Sequence, residues 1–176
     1  TNPLMQIGAL DKVVQFAKEN NLISMIDNTM ASPALFCPIQ HGFDISLHSA
    51  TKYLNGHTDI VAGAIIGNEP HISMINSKLN HLGGSLDPHA CFLLHRGIKN
   101  LSIRMERQCK SALLIAKFLE QHKKVNQVNY PGLVSSKSHA RSKQFLCRFG
   151  GMLSFIIEGG IKTADAFISK LDIPIS

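Results

Sequence analysis

The sequence predicts an α/β fold, a three-layer sandwich built on a mostly parallel sheet. Helical and strand-like patterns alternate along the chain, which is typical of this class. The predicted strands are short apolar runs with polar residues at their ends, as expected of buried parallel strands. Residues 28–44 separate the first two strands and are long enough for the crossover that parallel strands require.

The first half of the chain accounts for the predicted sheet. Apolar residues recur on one face of a helix that precedes the first strand. Gly42 ends the short helix that follows that strand. The predicted helices cover residues 11–20 and 33–40, and the predicted strands cover residues 22–26, 45–48 and 61–67.

The second half is richer in helix and is expected to hold a domain boundary. Asp87 and Pro88 predict a helix N-terminus, with Asp as the cap and Pro at the first position. One long helix is predicted from there to about residue 123, kinked at Gly97. We expect residues 1–104 to form the rear half of a large domain. Residues 105–176 should form a linking helix and the start of a small domain. The other predicted elements are helices at 71–81, 139–149 and 163–170, and strands at 125–130 and 152–157.

The amino-acid composition excludes several classes of protein and of binding partner. Of the 176 residues, 44% are hydrophobic and 17% are charged, which excludes collagen, coiled coils and intrinsic disorder. The longest apolar run, residues 60–67, is too short to span a membrane. The absence of Trp argues against stacking on single-stranded nucleic acid. The net charge of +6 includes a basic group that is expected to be a solvated helix face, so neither nucleic acid nor membrane is predicted as a partner. This group is Lys137, Arg141, Lys143 and Arg148.

Cysteines and histidines predict neither a disulfide framework nor a metal site. The four cysteines form no close pair, which fits a reducing compartment such as the cytoplasm. Cys91 and Cys109 lie on the helical pattern and are expected to be buried. His48 and His57 lie near Lys52, but no carboxylate or thiol follows at ligand spacing.

Two polar segments follow predicted strands, where ligands bind in open α/β sheets. One is Asp27-Asn28-Thr29 and the other is Ser49-Ala50-Thr51-Lys52. Pyridoxal phosphate needs a lysine for its Schiff base and an Asp for its pyridine nitrogen, so the combination suits this cofactor. The residues alone leave open that the second segment is a surface turn and that Asp27 is a helix cap.

Longer motifs around these segments resemble the trans-sulfuration family of pyridoxal-phosphate enzymes. The motifs are Ile26-Asp-Asn-Thr-Met-Ala-Ser-Pro33 and Leu47-His-Ser-Ala-Thr-Lys-Tyr-Leu-Asn-Gly-His-Thr-Asp-Ile-Val-Ala-Gly63. Equal spacing separates Asn2 from Asp27 and Asp27 from Lys52, as in that family. Residues 87–99, 128–133 and 149–155 also look like family blocks, so the resemblance covers the whole chain.

The resemblance implies roles for five residues. Lys52 would be the Schiff-base lysine and Asp27 the partner of the pyridine nitrogen. Ser49 and Thr51 would contact the phosphate, and Asn2 would lie near the phenolic oxygen and the substrate carboxylate. The fold would be fold type I, like aspartate aminotransferase, and the complete enzyme would be a homodimer or homotetramer.

The implied activity is carbon–sulfur bond chemistry on an amino-acid substrate, with γ-elimination of cystathionine or methionine favoured. γ-Replacement and β-elimination are alternatives. The chain lacks an initiator Met and stops soon after a helical pattern, so we expect an internal fragment of a longer enzyme. A truncated, non-catalytic product is the alternative of another class.

Overall fold

The computed structural model of this protein describes residues 2–173. Residue 1 and residues 174–176 lie outside the described residues. The helices are α1 (Leu10–Glu19), α2 (Glu69–Leu82), α3 (Pro88–Ile98), α4 (Leu101–Glu120), α5 (His139–Phe145) and α6 (Gly160–Ile168). The strands are β1 (Met25–Asp27), β2 (Ile45–Ser49), β3 (Gly63–Gly67), β4 (Val125–Asn129) and β5 (Ser154–Ile157).

The first three strands form one sheet in the order β1-β2-β3. β1 and β2 are parallel, as predicted, with Asp27 opposite Leu47. β3 runs antiparallel to β2 instead, with Ser49 opposite Gly63. Residues 50–62 contain no helix that could carry the chain back across the sheet, so the connection returns β3 in the opposite direction.

The other two strands, β4 and β5, pair antiparallel in a second sheet. This sheet packs near α4 and α6. None of the helices within residues 2–173 combines the length and apolar character that a membrane crossing requires.

The long helix predicted from Asp87 to about residue 123 is in fact two helices. Asp87 caps α3 as predicted, because its carboxylate accepts the backbone N–H groups of His89 and Ala90, both at 3.0 Å. The break falls just after the predicted kink, where Lys99 and Asn100 donate to carbonyls three residues back. The backbone of Asn100 then leaves helical geometry, and α4 starts at Leu101.

Other expectations fail where local pattern was the only guide. The short helix predicted over 33–40 is replaced by a 3₁₀ turn, Pro38–His41, that overlaps its end, although Gly42 ends it in the left-handed conformation as expected. Cys109 is buried as predicted, but Cys91 is exposed because it lies on the outer face of α3. A helical position therefore did not ensure burial for Cys91.

Helix α4 contributes to two hydrophobic clusters. Near its start, Met105 and Cys109 pack with Ala50 and Leu54, which flank Lys52 in sequence. In its second half, α4 supplies the residues of the other cluster, which packs against the second sheet. These are Ala112 and Ala116, in contact with Tyr130 and Leu133. The hydrophobic core thus packs the segment around Lys52 against α4.

Candidate cofactor site at the end of the parallel strands

The two predicted polar segments lie side by side at one edge of the sheet. β1 ends at Asp27 and β2 ends at Ser49, and their parallel pairing places both ends at the same edge. The Ser49 N–H donates a hydrogen bond of 2.7 Å to Oγ1 of Thr29, which joins the segments directly. The rule that polar groups after parallel strands converge is met here.

Asp27 presents its carboxylate to solvent at this edge. Oδ1 accepts the Thr29 N–H at 2.8 Å, while Oδ2 has no hydrogen bond from any described residue. The turn that follows Asp27 is held in place, since the buried Asn28 donates from its side chain to the Phe36 carbonyl at 2.9 Å. One carboxylate oxygen is therefore free to accept a proton donor from a ligand.

Ser49 and Thr51 differ in how far their hydroxyls are already used. Thr51 Oγ1 accepts the Ala62 N–H at 2.9 Å and lies 3.3 Å from the Ala62 carbonyl, to which it donates. Within residues 2–173, the Ser49 hydroxyl has no hydrogen-bond partner. Thr51 thus closes the loop onto residue 62, and Ser49 offers an unused donor.

Lys52 is exposed and follows one short turn after Ser49. Its backbone N–H donates to the Ser49 carbonyl at 3.1 Å, and its carbonyl accepts the Gly56 N–H at 2.7 Å. Its ammonium forms neither an ion pair nor a hydrogen bond with the described part of the chain. The backbone of Lys52 is fixed at both ends while its amine is available.

Asn2 is the predicted site residue that the structure does not connect to the others. It is exposed in a turn at the start of the described chain. Its neighbour Pro3 accepts a hydrogen bond of 2.5 Å from Ser154 of β5, on the second sheet. No contact described for residues 2–173 links Asn2 to Asp27 or Lys52.

His48 precedes Ser49 in β2, and from sequence only a metal-ligand role suggests itself for this residue. It is buried, and its Nε2 is 3.0 Å from the Ser46 hydroxyl, while Nδ1 has no partner among the described residues. Burial lowers the pKa of His48, and the negative charge of Asp27 partly opposes that shift. Within the described residues, no group of three or more His, Cys, Asp or Glu is placed to hold a metal ion.

Arg104 is a second residue near the site, and no sequence motif distinguishes it. It lies on α4, far along the chain from Lys52, and donates to several backbone carbonyls immediately after Lys52. In the sequence, an arginine of a partly exposed helix cannot be told from one that is simply exposed to solvent. Only the contacts of Arg104 with distant carbonyls distinguish it.

The donor set at this edge fits pyridoxal phosphate. The cofactor needs an amine for its aldehyde, an anion for its ring nitrogen and donors for its phosphate. The edge offers the Lys52 amine, the free oxygen of Asp27 and the Ser49 hydroxyl, each without a partner in the described structure.

Comparison with known proteins identifies the family. The sequence model of the Cys/Met metabolism PLP-dependent enzymes matches residues 1–176. The chain is 45% identical over 156 residues to a cystathionine beta-lyase of Coxiella burnetii, covering 88% of this chain and 40% of that protein. It is 40% identical over 171 residues to a probable cystathionine gamma-synthase of Herpetosiphon aurantiacus, covering 97% of this chain and 54% of that protein.

A solved structure shows the same fold. The cystathionine gamma synthase of Xanthomonas oryzae pv. oryzae, in complex with aminoacrylate and cysteine, superposes with a TM-score of 0.96 at 37% identity. That superposition covers 100% of this chain and 46% of the other. The chain thus spans about half the length of the relatives it matches, or less. The fold is that of the PLP-dependent cystathionine synthases and lyases, and the chain belongs to the Cys/Met metabolism family of PLP-dependent enzymes.

Proposed function

We propose that the protein containing this chain uses pyridoxal phosphate to make or break carbon–sulfur bonds in amino acids such as cystathionine. The observation that carries the proposal is the meeting of Asp27, Ser49 and the Lys52 turn at one sheet edge. Both relatives and the solved structure described above are enzymes of cystathionine, which supports the substrate class.

Each residue at the edge has a role that its surroundings permit. Asp27 would hold the protonated ring nitrogen with its free carboxylate oxygen, and Ser49 would donate its hydroxyl to the phosphate. Thr51 would shape the same phosphate site, since its hydroxyl already fixes the loop to Ala62. The cofactor, when bound, supplies an electron sink for the carbanion at the substrate α-carbon.

Lys52 would act as both attachment point and base. Its amine has no described partner, so it is free to bind the cofactor and, once released by substrate, to take the α-proton. The backbone hydrogen bonds on either side of Lys52 leave side-chain rotation as its main freedom. The same amine can return the proton later in the reaction. Asn2 would contact the substrate carboxylate, a role supported by the family motif.

The direct test substitutes Lys52 in the full-length protein. We expect Lys52→Ala to abolish both covalent attachment of the cofactor and turnover. Lys78→Ala, which removes an exposed lysine of α2, should leave both unchanged. Borohydride reduction followed by peptide mass spectrometry locates the attached lysine. Attachment at another lysine, or normal turnover by Lys52→Ala, would contradict the proposal.

Asp27→Asn tests the second role. The neutral amide should still permit cofactor binding, but activity should fall by at least a hundredfold because an unprotonated pyridine is a poor electron sink. Cofactor absorbance and turnover, measured on the same sample, separate the two effects. Normal activity in Asp27→Asn would remove Asp27 from the mechanism.

The reaction itself can be read from products. γ-Elimination, which we favour for cystathionine or methionine, would release cysteine, 2-oxobutyrate and ammonia from cystathionine. β-Elimination releases homocysteine, pyruvate and ammonia, and it is a second candidate because the Coxiella burnetii relative at 45% identity is a beta-lyase. γ-Replacement would instead form cystathionine from cysteine and an activated homoserine. Assaying the two keto acids and cystathionine distinguishes all three.

We also infer the wider organisation. Residues 1–104 would belong to the large cofactor domain and residues 105–176 to the linking helix and the start of the small domain. The complete enzyme would be a cytoplasmic homodimer or homotetramer. Large apolar side chains left exposed in this chain support an assembly that covers them, among them Phe16 at 60% and Phe92 at 62% exposure. Light scattering on the full-length protein measures the assembly.

A further inference from the structure

Arg104 holds the backbone that follows Lys52. Its Nη1 donates to the Tyr53 carbonyl at 2.9 Å, and Nη2 lies 3.4 Å from the carbonyls of both Leu54 and Asn55. We call residues 49–59 the lysine loop. One guanidinium therefore satisfies three consecutive carbonyls of this loop, which a point charge such as an ammonium could not do in one position.

The same guanidinium is itself held in place by two groups outside the loop. Nε donates to the Asn100 side chain at 2.6 Å, and Nη2 donates to the Gly97 carbonyl at 2.9 Å, at the end of α3. Arg104 therefore joins three pieces of backbone: the lysine loop, the end of α3 and the start of α4. Its donors are oriented before any ligand binds.

Two glycines make room for this arrangement. A Cβ on Gly56 would overlap the guanidinium of Arg104, and Gly56 also has φ of +70°, where a side chain is strained. A Cβ on Gly97 would overlap the Asn55 carbonyl oxygen and lie 2.9 Å from Asn55 Cα. The backbones of the lysine loop and α3 are thus in direct contact, and the guanidinium of Arg104 packs against Gly56.

Lys52 lies between two independent anchors. On one side, Ser49 is bound to Thr29 and Thr51 to Ala62, without any contribution from Arg104. On the other side, the Lys52 carbonyl is bound to Gly56, next to the carbonyls that Arg104 holds. Removing Arg104 would release the second anchor and leave the first in place.

We propose that Arg104 is a positioning residue. It orients the Lys52 amine by fixing the backbone of the lysine loop that follows Lys52. This inference rests on the proposed function, because the Lys52 amine needs a defined position only if it reacts with the aldehyde of a bound cofactor. Arg104 would not touch the cofactor. Its effect would fall on attachment to Lys52 and spare the phosphate contacts of Ser49 and Thr51.

The test uses two probes on the full-length protein without bound cofactor. Pyridoxal phosphate reports attachment: the Lys52 amine condenses with its aldehyde, forming a C=N bond and releasing one water. 4′-Deoxypyridoxine phosphate has no aldehyde, so it reports the phosphate and ring contacts alone. We expect Arg104→Gln to slow attachment at least tenfold, measured by absorbance, while the affinity for the aldehyde-free probe stays within twofold.

Three further variants sharpen the result. Arg104→Lys keeps the charge but not the planar set of donors, and its attachment rate should fall between wild type and Arg104→Gln. Arg107→Gln, an exposed arginine on the same helix with no described contact, should match wild type. If Arg104→Gln fails to fold, Asn100→Ala removes only the group that orients the guanidinium, and it should slow attachment about threefold.

The other outcomes are distinct. Equal loss of both probes would mean that Arg104 serves only stability and would overturn the proposal. Unchanged attachment in Arg104→Gln, or wild-type attachment in Arg104→Lys, would also overturn it. Failure of the wild-type protein to attach pyridoxal phosphate at Lys52 would refute the proposed function and this inference with it, before any variant is considered.

Discussion

The lysine loop and helix α2 lie on either side of β3, yet they are held in opposite ways. The loop has no regular secondary structure through residues 52–59, but Asn55 is fully buried and the backbone is hydrogen-bonded to Arg104. α2 is a regular helix of 14 residues with no buried residue. Regular secondary structure and tertiary anchoring are therefore separate properties in this protein, and Lys52 lies in the anchored segment.

The largest expected effect comes from Gly97→Ala, at the point where α3 contacts the lysine loop. The added methyl group overlaps the backbone of Asn55, which cannot move without displacing the lysine loop, so we expect a loss of about 3 kcal/mol in the free energy of unfolding. Gly8→Ala is the matched control, because its Cβ would approach only Leu10 Cδ2, at 4.0 Å. Urea denaturation of both variants measures the difference, and equal stability would show that the contact is not tight.

A smaller effect is expected from Asn55→Ala. The Asn55 side chain donates to Asp59 Oδ1 at 2.7 Å, and Asp59 in turn accepts from Arg96 at 2.6 Å. Loss of this buried amide should cost about 2 kcal/mol. Asn68→Ala, at the N-cap of α2 where the side chain makes no capping bond, should cost less than about 0.5 kcal/mol. Similar losses in the two variants would remove the contrast between the regions.

His48, which immediately precedes the lysine loop, is expected to make the stability of the folded chain depend on pH. Burial lowers its pKa below the ordinary 6.5, so the folded state favours the neutral imidazole. Its contribution to stability is complete above pH 6.5 and is lost as pH falls through the lowered pKa. The urea midpoint should therefore be lower at about pH 5 than at about pH 7.5.

Two variants assign that pH dependence. His48→Gln should reduce the difference between the two midpoints, whereas His89→Gln, an exposed histidine near the start of α3, should leave it unchanged. An unchanged difference in His48→Gln would mean that other groups cause the acid sensitivity.

The smallest effect is expected in α2. Met74 is 52% exposed, so Met74→Ala should change the free energy of unfolding by less than about 0.5 kcal/mol. A loss above about 2 kcal/mol, typical of a core methionine, would show that α2 is covered by a neighbouring chain in the intact protein.

Local pattern was sufficient for some of this structure. The first helix and the three strands of the main sheet formed within a few residues of prediction, because short apolar runs and turn residues mark their ends. The burial expected of these strands did not follow, since β1 exposes Met25 and β3 exposes Ile65 and Ile66. The rule for strand ends also predicts Asp27 and the Ser49–Lys52 segment as site residues from sequence alone. Both depend only on short-range sequence and on parallel pairing.

Features that depend on distant contacts were not predictable. The antiparallel course of β3 follows from the loop that precedes it, which apolar runs do not encode. The break at Asn100 and the exposure of Cys91 depend on how α3 and α4 pack. Arg104 is recognisable only through carbonyls that lie far from it in sequence. The role predicted for Asn2 rests on motif, since the structure described here does not connect it to the site.

Helix α4 has a consequence for which changes in length this chain can tolerate. It faces the lysine-loop cluster with Met105 and Cys109 and faces the second sheet with Ala112 and Ala116. Each residue advances an α-helix by about 100°. One residue inserted between Cys109 and Ala112 would rotate one half of the helix by that angle and turn its apolar side chains away from their cluster. Variation in length should therefore collect in the turns that precede and follow α4, and the helix itself should keep a constant number of residues between Arg104 and Ala116.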